Sequence, residues 1–292
     1  MRDRIDPLIA ERAPWLFEDR PWSAPAREVL MRLLGYGRTV ALADYFRDRP
    51  AAEIMGTLGQ MLARDVEIDG LSNVPLRGPA LIVANHPTGI ADGIILHHLL
   101  SPVRGDLFFY ANADILRVLP QFGAIVAPVE WRPEKRCHAK TRETMAYTRR
   151  AIGEGRLGVI FPSGRLAQRR GLRLYERPWM ASAAMIARKF DLPVIPVNLR
   201  ARNSALFYLF DRIHPTLRDI TLFHETLNKA RQPYRVTVGA PIPAAALPAT
   251  SEAAIEVLRT RTLALGGRHA PGVSLLDVSR QTEWVRGAMG AH

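Results

Sequence analysis

Apolar positions in this chain change their spacing near residue 65. Before it they recur at helical intervals: Val29, Leu30, Leu33, Leu34 and Val40 stand among Arg27, Arg32 and Arg38. The pattern predicts helix over 26–46 and again over 52–62, with Pro21, Pro25 and Pro50 as punctuation. A basic amphipathic helix of this kind packs on a domain or lies in a membrane interface, and the pattern alone allows either. From Val66 onward, short apolar runs alternate with amphipathic stretches. Strands are predicted at 66–68, 80–84, 107–110, 124–129, 158–161, 194–199 and 234–238. Helices are predicted over 91–100, 138–153, 181–190 and 251–265, the last with Ser251 as N-cap. Strands separated by helices predict an α/β fold whose central sheet, mostly parallel or mixed, is flanked by helices on both faces. The chain thus divides into an N-terminal helical segment (1–65), an α/β domain (66–267) and a Gly-rich, weakly patterned tail (268–292).

Composition narrows the partners. The net charge is +12, carried mostly by arginine, which suits anionic lipid, phosphorylated ligands or an acidic protein. Zinc-finger spacing and aromatic-rich RNA motifs do not occur, so nucleic acid is not expected as a partner. A single cysteine, Cys137, excludes an internal disulfide framework and suits a reducing compartment. No apolar run approaches the ~18 residues of a membrane span, and the first residues lack a secretory apolar core. These features together predict a cytoplasmic protein peripheral to a membrane.

Candidate chemistry begins where the strand predicted at 80–84 ends. Asn85 and His86 follow it directly, then Pro87-Thr88-Gly89, and Asp92 stands where the next helix begins. In open α/β sheets ligands bind at the carboxyl ends of strands. A carboxylate against Nδ1–H fixes the imidazole tautomer and leaves Nε2 to take a proton from a hydroxyl. A second strand-end turn, Phe161-Pro162-Ser163-Gly164-Arg165, offers backbone N–H groups and a guanidinium suited to phosphate or carboxylate. Asn112 and Asp114 follow a third strand, with a helix cap the commoner use of Asn112. Ser163 does not sit in a Gly-x-Ser-x-Gly elbow, so a serine hydrolase is disfavoured.

The stretch Asn85-His86-Pro87-Thr88-Gly89-Ile90-Ala91-Asp92 resembles the first motif of the glycerolipid (lysophosphatidate-type) acyltransferase superfamily. Five residues part His86 from Asp92 where most members have four. That form resembles the hemolysin-like branch that includes ornithine-lipid acyltransferases, and Gly89 is the residue suited to absorb the extra position. Phe161 to Arg165 resembles the superfamily's Phe-Pro-Glu-Gly-Thr-Arg motif, with Ser163 in place of Glu. Gly123 to Val129 resembles a third motif, with Pro128-Val129 where the family has Asp-Arg. Asp191 to Val197 resembles the apolar, proline-containing terminal motif.

The resemblance implies a glycerol-3-phosphate acyltransferase-like fold and an O-acyltransferase of phospholipid or ornithine-lipid synthesis. His86 and Asp92 would be catalytic, and Asn85, Gly89, Asn112, Ser163, Gly164 and Arg165 would bind substrate. Backbone N–H groups between Gly89 and Gly93 would hold the oxyanion. Neither a metal nor a resident cofactor is implied. The donor would be acyl-CoA or acyl-carrier protein, the acceptor a lyso-lipid, and the partner an anionic membrane surface. The missing Arg after residue 128 favours a zwitterionic or amino-acid-derived acceptor unless Arg132 or Arg165 substitutes. The alternative is an inactive, basic, lipid-binding protein on the same scaffold.

Overall fold

The computed structural model describes residues 1–130 and 137–279. Four helices come first: α1 (Arg2–Arg12), α2 (Ser23–Leu33), α3 (Tyr36–Tyr45) and α4 (Ala51–Leu62). The helix expected over 26–46 is two helices, because Gly35 takes the left-handed conformation (φ 64°) between α2 and α3. The α/β part then runs β1 (Val66–Asp69), β2 (Ala80–Ala84), α5 (Ile90–Leu100), β3 (Leu107–Asn112), α6 (Asp114–Val118) and β4 (Val126–Val129). It continues through α7 (His138–Gly153), β5 (Leu157–Ile160), β6 (Gln168–Arg170), β7 (Arg173–Tyr175), α8 (Ser182–Lys189) and β8 (Val194–Arg200). The remaining elements are α9 (Ala205–Ile213), α10 (Pro215–Leu227), β9 (Tyr234–Val238), α11 (Ser251–Ala264) and β10 (Gly272–Ser274).

Seven strands form one sheet in the order β1-β9-β8-β2-β5-β3-β4. Every pairing is parallel except β8 with β9, so the expected mostly parallel, mixed sheet is what the chain builds. The central strand β2 shows why its sequence is continuously apolar. Ala80, Ile82 and Ala84 face one core with Ile54, Ile95 and Leu8, while Leu81 and Val83 face the other with Tyr147, Ala183 and Leu258. The N-terminal helices join the first of these cores through Ile5, Leu8, Val40 and Phe46. Register aligns Val83 with Ile160 and Ala84 with Val197, so β2, β5 and β8 end at one edge. The turns that follow them are thereby neighbours.

Two local expectations differ. The N-cap of α11 is Thr250, whose side chain accepts the Ala253 N–H at 3.4 Å, rather than Ser251. The tail from 268, expected to be weakly structured, carries β10, which pairs antiparallel with β7 in a second sheet ordered β10-β7-β6. Val273, Leu275 and Val278 bury against Leu174, Phe207 and Tyr208, a long-range packing that a Gly-rich local pattern does not reveal. Residues 280–292 of that tail, and Arg132, lie outside the described residues. Among the described residues no helix is long and apolar enough to cross a membrane.

Candidate active site

The turn after β2 is built by side chains that bond back to backbone. Asn85 donates from Nδ2 to the Leu199 carbonyl (2.8 Å) and accepts the Leu199 N–H at Oδ1 (2.7 Å), pinning the end of β2 to β8. Its side chain is buried and bonded to backbone at both ends of the amide, a duty that fixes the turn. The chain then turns through Pro87 and Thr88 to Gly89, which takes φ 98° and ψ −133°. An L side chain resists that conformation, and a Cβ there would come within 3.0 Å of Leu166 Cδ2. Glycine is therefore the residue this turn between His86 and Asp92 accommodates.

Asp92 sits in the first turn of α5 and is fully buried. Its Oδ2 accepts the N–H of Thr88 (2.9 Å) and of Gly89 (3.0 Å), and its Oδ1 accepts the Thr88 hydroxyl (2.5 Å). These bonds and the helix dipole make the position suited to an anion. The same Oδ2 lies 3.0 Å from His86 Nδ1. That contact has ion-pair distance but lies off the ring N–H axis, so Nδ1 is without an aligned hydrogen bond. The imidazole stacks on Phe161 (centroids 4.3 Å, 27°), from the turn after β5, and its side chain is 19% exposed.

Because Thr88 and Gly89 donate to Asp92, their N–H groups are committed and cannot hold an oxyanion as expected of Gly89. The first helical residues, Ile90 and Ala91, keep N–H groups that have no acceptor inside a helix. His86, Gly89, Gly93, Asn112, Gly164 and Arg165 all line one cavity of about 1850 Å³. It exceeds the ~300–1,000 Å³ usual for small-molecule pockets. Much of the wall is apolar: α1, α3 and α4 contribute Leu8, Leu42 and Leu58, and Phe46 follows α3. Arg165 is exposed at this wall, and among the described residues no carboxylate is in ion-pair range of it.

Two other expected ligands have local duties. Ser163 turns from the cavity, is buried, and donates to the Arg165 carbonyl at 2.8 Å. Asn112 lines the cavity, but its Oδ1 accepts the Asp114 N–H and its Nδ2 donates to Asp114 Oδ2 (3.0 and 3.1 Å). Asp114 in turn takes Arg12 at 2.8 Å, so Asn112 helps tether α1 to the sheet.

The structure adds groups that the sequence pattern did not single out. Glu176 is buried beneath the histidine: Oε2 accepts the His86 backbone N–H (3.1 Å) and Oε1 the Trp179 indole N–H (3.0 Å). Burial pushes its carboxyl above the ordinary 4.5, opposed by bonds from His86, Trp179 and Ser163. It thereby joins the turns after β2 and β5. A signal was present, since Glu176 is the single acidic residue between Glu154 and Asp191. Behind Asp92, Tyr234 lies 2.5 Å from the Thr88 hydroxyl. Lys229 is wholly buried and bonds the Arg202 carbonyl, Asn203 Oδ1 (2.6 Å) and Glu225 (3.2 Å). Burial draws its ammonium from 10.5 down to about 8 despite Glu225.

Residues 65–200 match the family model described as Acyltransferase. A lyso-glycine lipid O-acyltransferase from Phocaeicola vulgatus is 24% identical over 204 residues, spanning 68% of this chain and 71% of the relative. One from Bacteroides thetaiotaomicron is 22% identical over 245 residues, 82% of this chain and 88% of the relative. The crystal structure of the 1-acyl-sn-glycerophosphate (LPA) acyltransferase PlsC from Thermotoga maritima shares the fold. Its TM-score is 0.50 at 12% identity, over 92% of this chain and 98% of that one.

Proposed function

We propose that this chain, whose residues 65–200 match the Acyltransferase family model, is a glycerolipid-type acyltransferase that moves a fatty acyl group from a thioester to the hydroxyl of a lyso-lipid. The observation that carries the reading is one imidazole, Nδ1 at 3.0 Å from a buried carboxylate, on the wall of a largely apolar cavity. His86 Nε2 takes the hydroxyl proton as the oxygen attacks the thioester carbonyl, and the imidazolium that forms is balanced by Asp92. The C–S bond of the tetrahedral intermediate then breaks, and the departing thiolate takes the proton from His86, leaving ester and free thiol. The Ile90 and Ala91 N–H groups at the start of α5 are the donors available to the oxyanion. The donor is acyl-CoA or acyl-carrier protein.

The acceptor is best read as an acylated amino-acid lipid lacking its second chain. Support comes from Arg165, which has no acidic partner among the described residues, and from the lyso-glycine lipid relatives. A guanidinium binds a carboxylate head as readily as a phosphate. Such an acceptor resides in a membrane, which suits a peripheral protein on the cytoplasmic face.

The test offers purified protein labelled acyl-CoA or acyl-carrier protein with lyso-glycine lipid, lyso-ornithine lipid and lysophosphatidate. Ester should form with an amino-acid lipid and fall ~10²–10⁴-fold in His86→Ala, which removes the base from a half-open position. Failure to acylate any lyso-lipid, or full activity in a folded His86→Ala, overturns the reading.

A further inference from the structure

From Gly155 through Tyr175 the chain holds five arginines and no acidic residue. The last part of this stretch leaves the cavity wall as a hairpin. Leu166 and Ala167 line the cavity just before β6, and Arg177 lines it just after β7. The root is fastened by the Ala167 N–H to the His86 carbonyl (2.9 Å) and by Arg177 Nε to the Leu166 carbonyl (3.1 Å). At ~3.3 Å per residue, the chain runs roughly 13 Å from Ala167 along β6 before Gly171 (φ 60°) reverses it. The next residue, Leu172, is 57% exposed at the tip, and Leu276, following the β10 segment that bonds Leu172, is 66% exposed.

The arm is held rigid. Arg169 lies over the Tyr208 ring (5.5 Å) and Arg170 over Tyr175 (5.7 Å), while Leu174 is buried against Phe207 and Val273. Among the described residues neither Arg169 nor Arg170 has a carboxylate in ion-pair range. An unneutralised basic strand ending in exposed leucine, set on a supported base, is the chemistry of an interface between water and anionic lipid. An acidic protein would take the arginines but gains nothing from the bare leucines.

We propose that the β6–β7 hairpin is a membrane-docking arm, whose Leu172 tip enters an anionic bilayer and whose Arg169 and Arg170 meet lipid headgroups. Docked this way, the root holding His86 and Arg165 is brought to the bilayer surface, where a lyso-lipid can pass into the cavity. The inference rests on the acyl-transfer reading for its purpose, but vesicle binding is measured without turnover, so the two can fail separately.

The experiment sediments the full chain with phosphatidylcholine vesicles, with and without phosphatidylglycerol. At ~1 kcal/mol per basic residue, Arg169→Gln with Arg170→Gln should weaken partition onto anionic vesicles about 25-fold and leave the neutral ones unchanged. Leu172→Ser should weaken partition onto both by roughly tenfold. Each variant should keep the wild-type melting profile and its activity on a short-chain, water-dispersed acceptor. Binding within twofold of wild type in both variants overturns the proposal. Loss of binding in Val29→Ser with Leu33→Ser, but not in the hairpin variants, overturns it in favour of α2. Unchanged vesicle binding with loss of transfer from acyl-carrier protein alone overturns it in favour of an acidic protein partner.

Discussion

Asp92→Asn separates charge from shape at the proposed centre. The amide oxygen can keep the place of Oδ2, still accepting from Thr88 and Gly89, while its NH₂ group meets the Thr88 hydroxyl, which can rotate to accept. Two charge-assisted bonds become neutral, a loss of about 2 kcal/mol of stability at ~1 kcal/mol each. What disappears is the negative charge 3.0 Å from His86 Nδ1. With an effective dielectric of ~20 that charge stabilises an imidazolium by about 5 kcal/mol, or close to four decades of rate. The off-axis contact and the half-open ring reduce this, and we expect kcat to fall by ~10³–10⁴. KM should stay within about threefold, since no substrate-facing atom of the cavity changes. Thiol release from an acyl thioester measures kcat and KM, and chemical denaturation measures the stability loss. A folded Asp92→Asn enzyme within tenfold of wild-type kcat would refute the assignment of Asp92 as the partner of the protonated histidine.

The buried ion pair, the buried Glu176 and the cavity wall each carry a further expected outcome. Lys229→Met removes three buried bonds and leaves Glu225 without its cation, so unfolding free energy should drop by roughly 3–5 kcal/mol in urea titration; a drop under 1 kcal/mol contradicts a buried ion pair. Glu176 has its folded pKa raised, so the folded state holds the proton more tightly than the unfolded chain. Its favourable contribution is full below about pH 4.5 and is lost as pH climbs through the raised value. Relative to Glu176→Gln, wild-type stability should therefore decline with rising pH, and parallel pH profiles would contradict this. At Gly93 an added Cβ meets only Phe109, at 3.8 Å, so there is room for a side chain in the cavity. Gly93→Leu should shift donor preference toward shorter acyl chains in a competition assay, and an unchanged profile would remove the cavity as the acyl site.

The alternation of apolar runs and helical patterns announced the α/β class because strands buried on both faces must be continuously apolar. His86 and Asp92 were legible for a related reason: a strand end, a Pro-Thr-Gly turn and a helix start confine them to one short loop. Asn85 and Ser163 bond backbone, a duty that residue type does not reveal. Their partners, Leu199 and the Arg165 carbonyl, are set by strand register and turn shape. Glu176 stayed hidden as a partner because it reaches His86 across 90 residues of chain.

Local sequence, then, determined the strands of the central sheet, most of the helices between them, the order of the motifs and the turn at Gly89. Tertiary structure alone decided which cations and carboxylates are buried together, as with Lys229 and Glu225, and that α1, α3 and α4 wall the cavity beside a histidine dozens of residues away. The physical reason is range. Periodicity and turn chemistry act over a few residues, whereas desolvation, ion pairing and cavity shape depend on what the fold brings in from far along the chain.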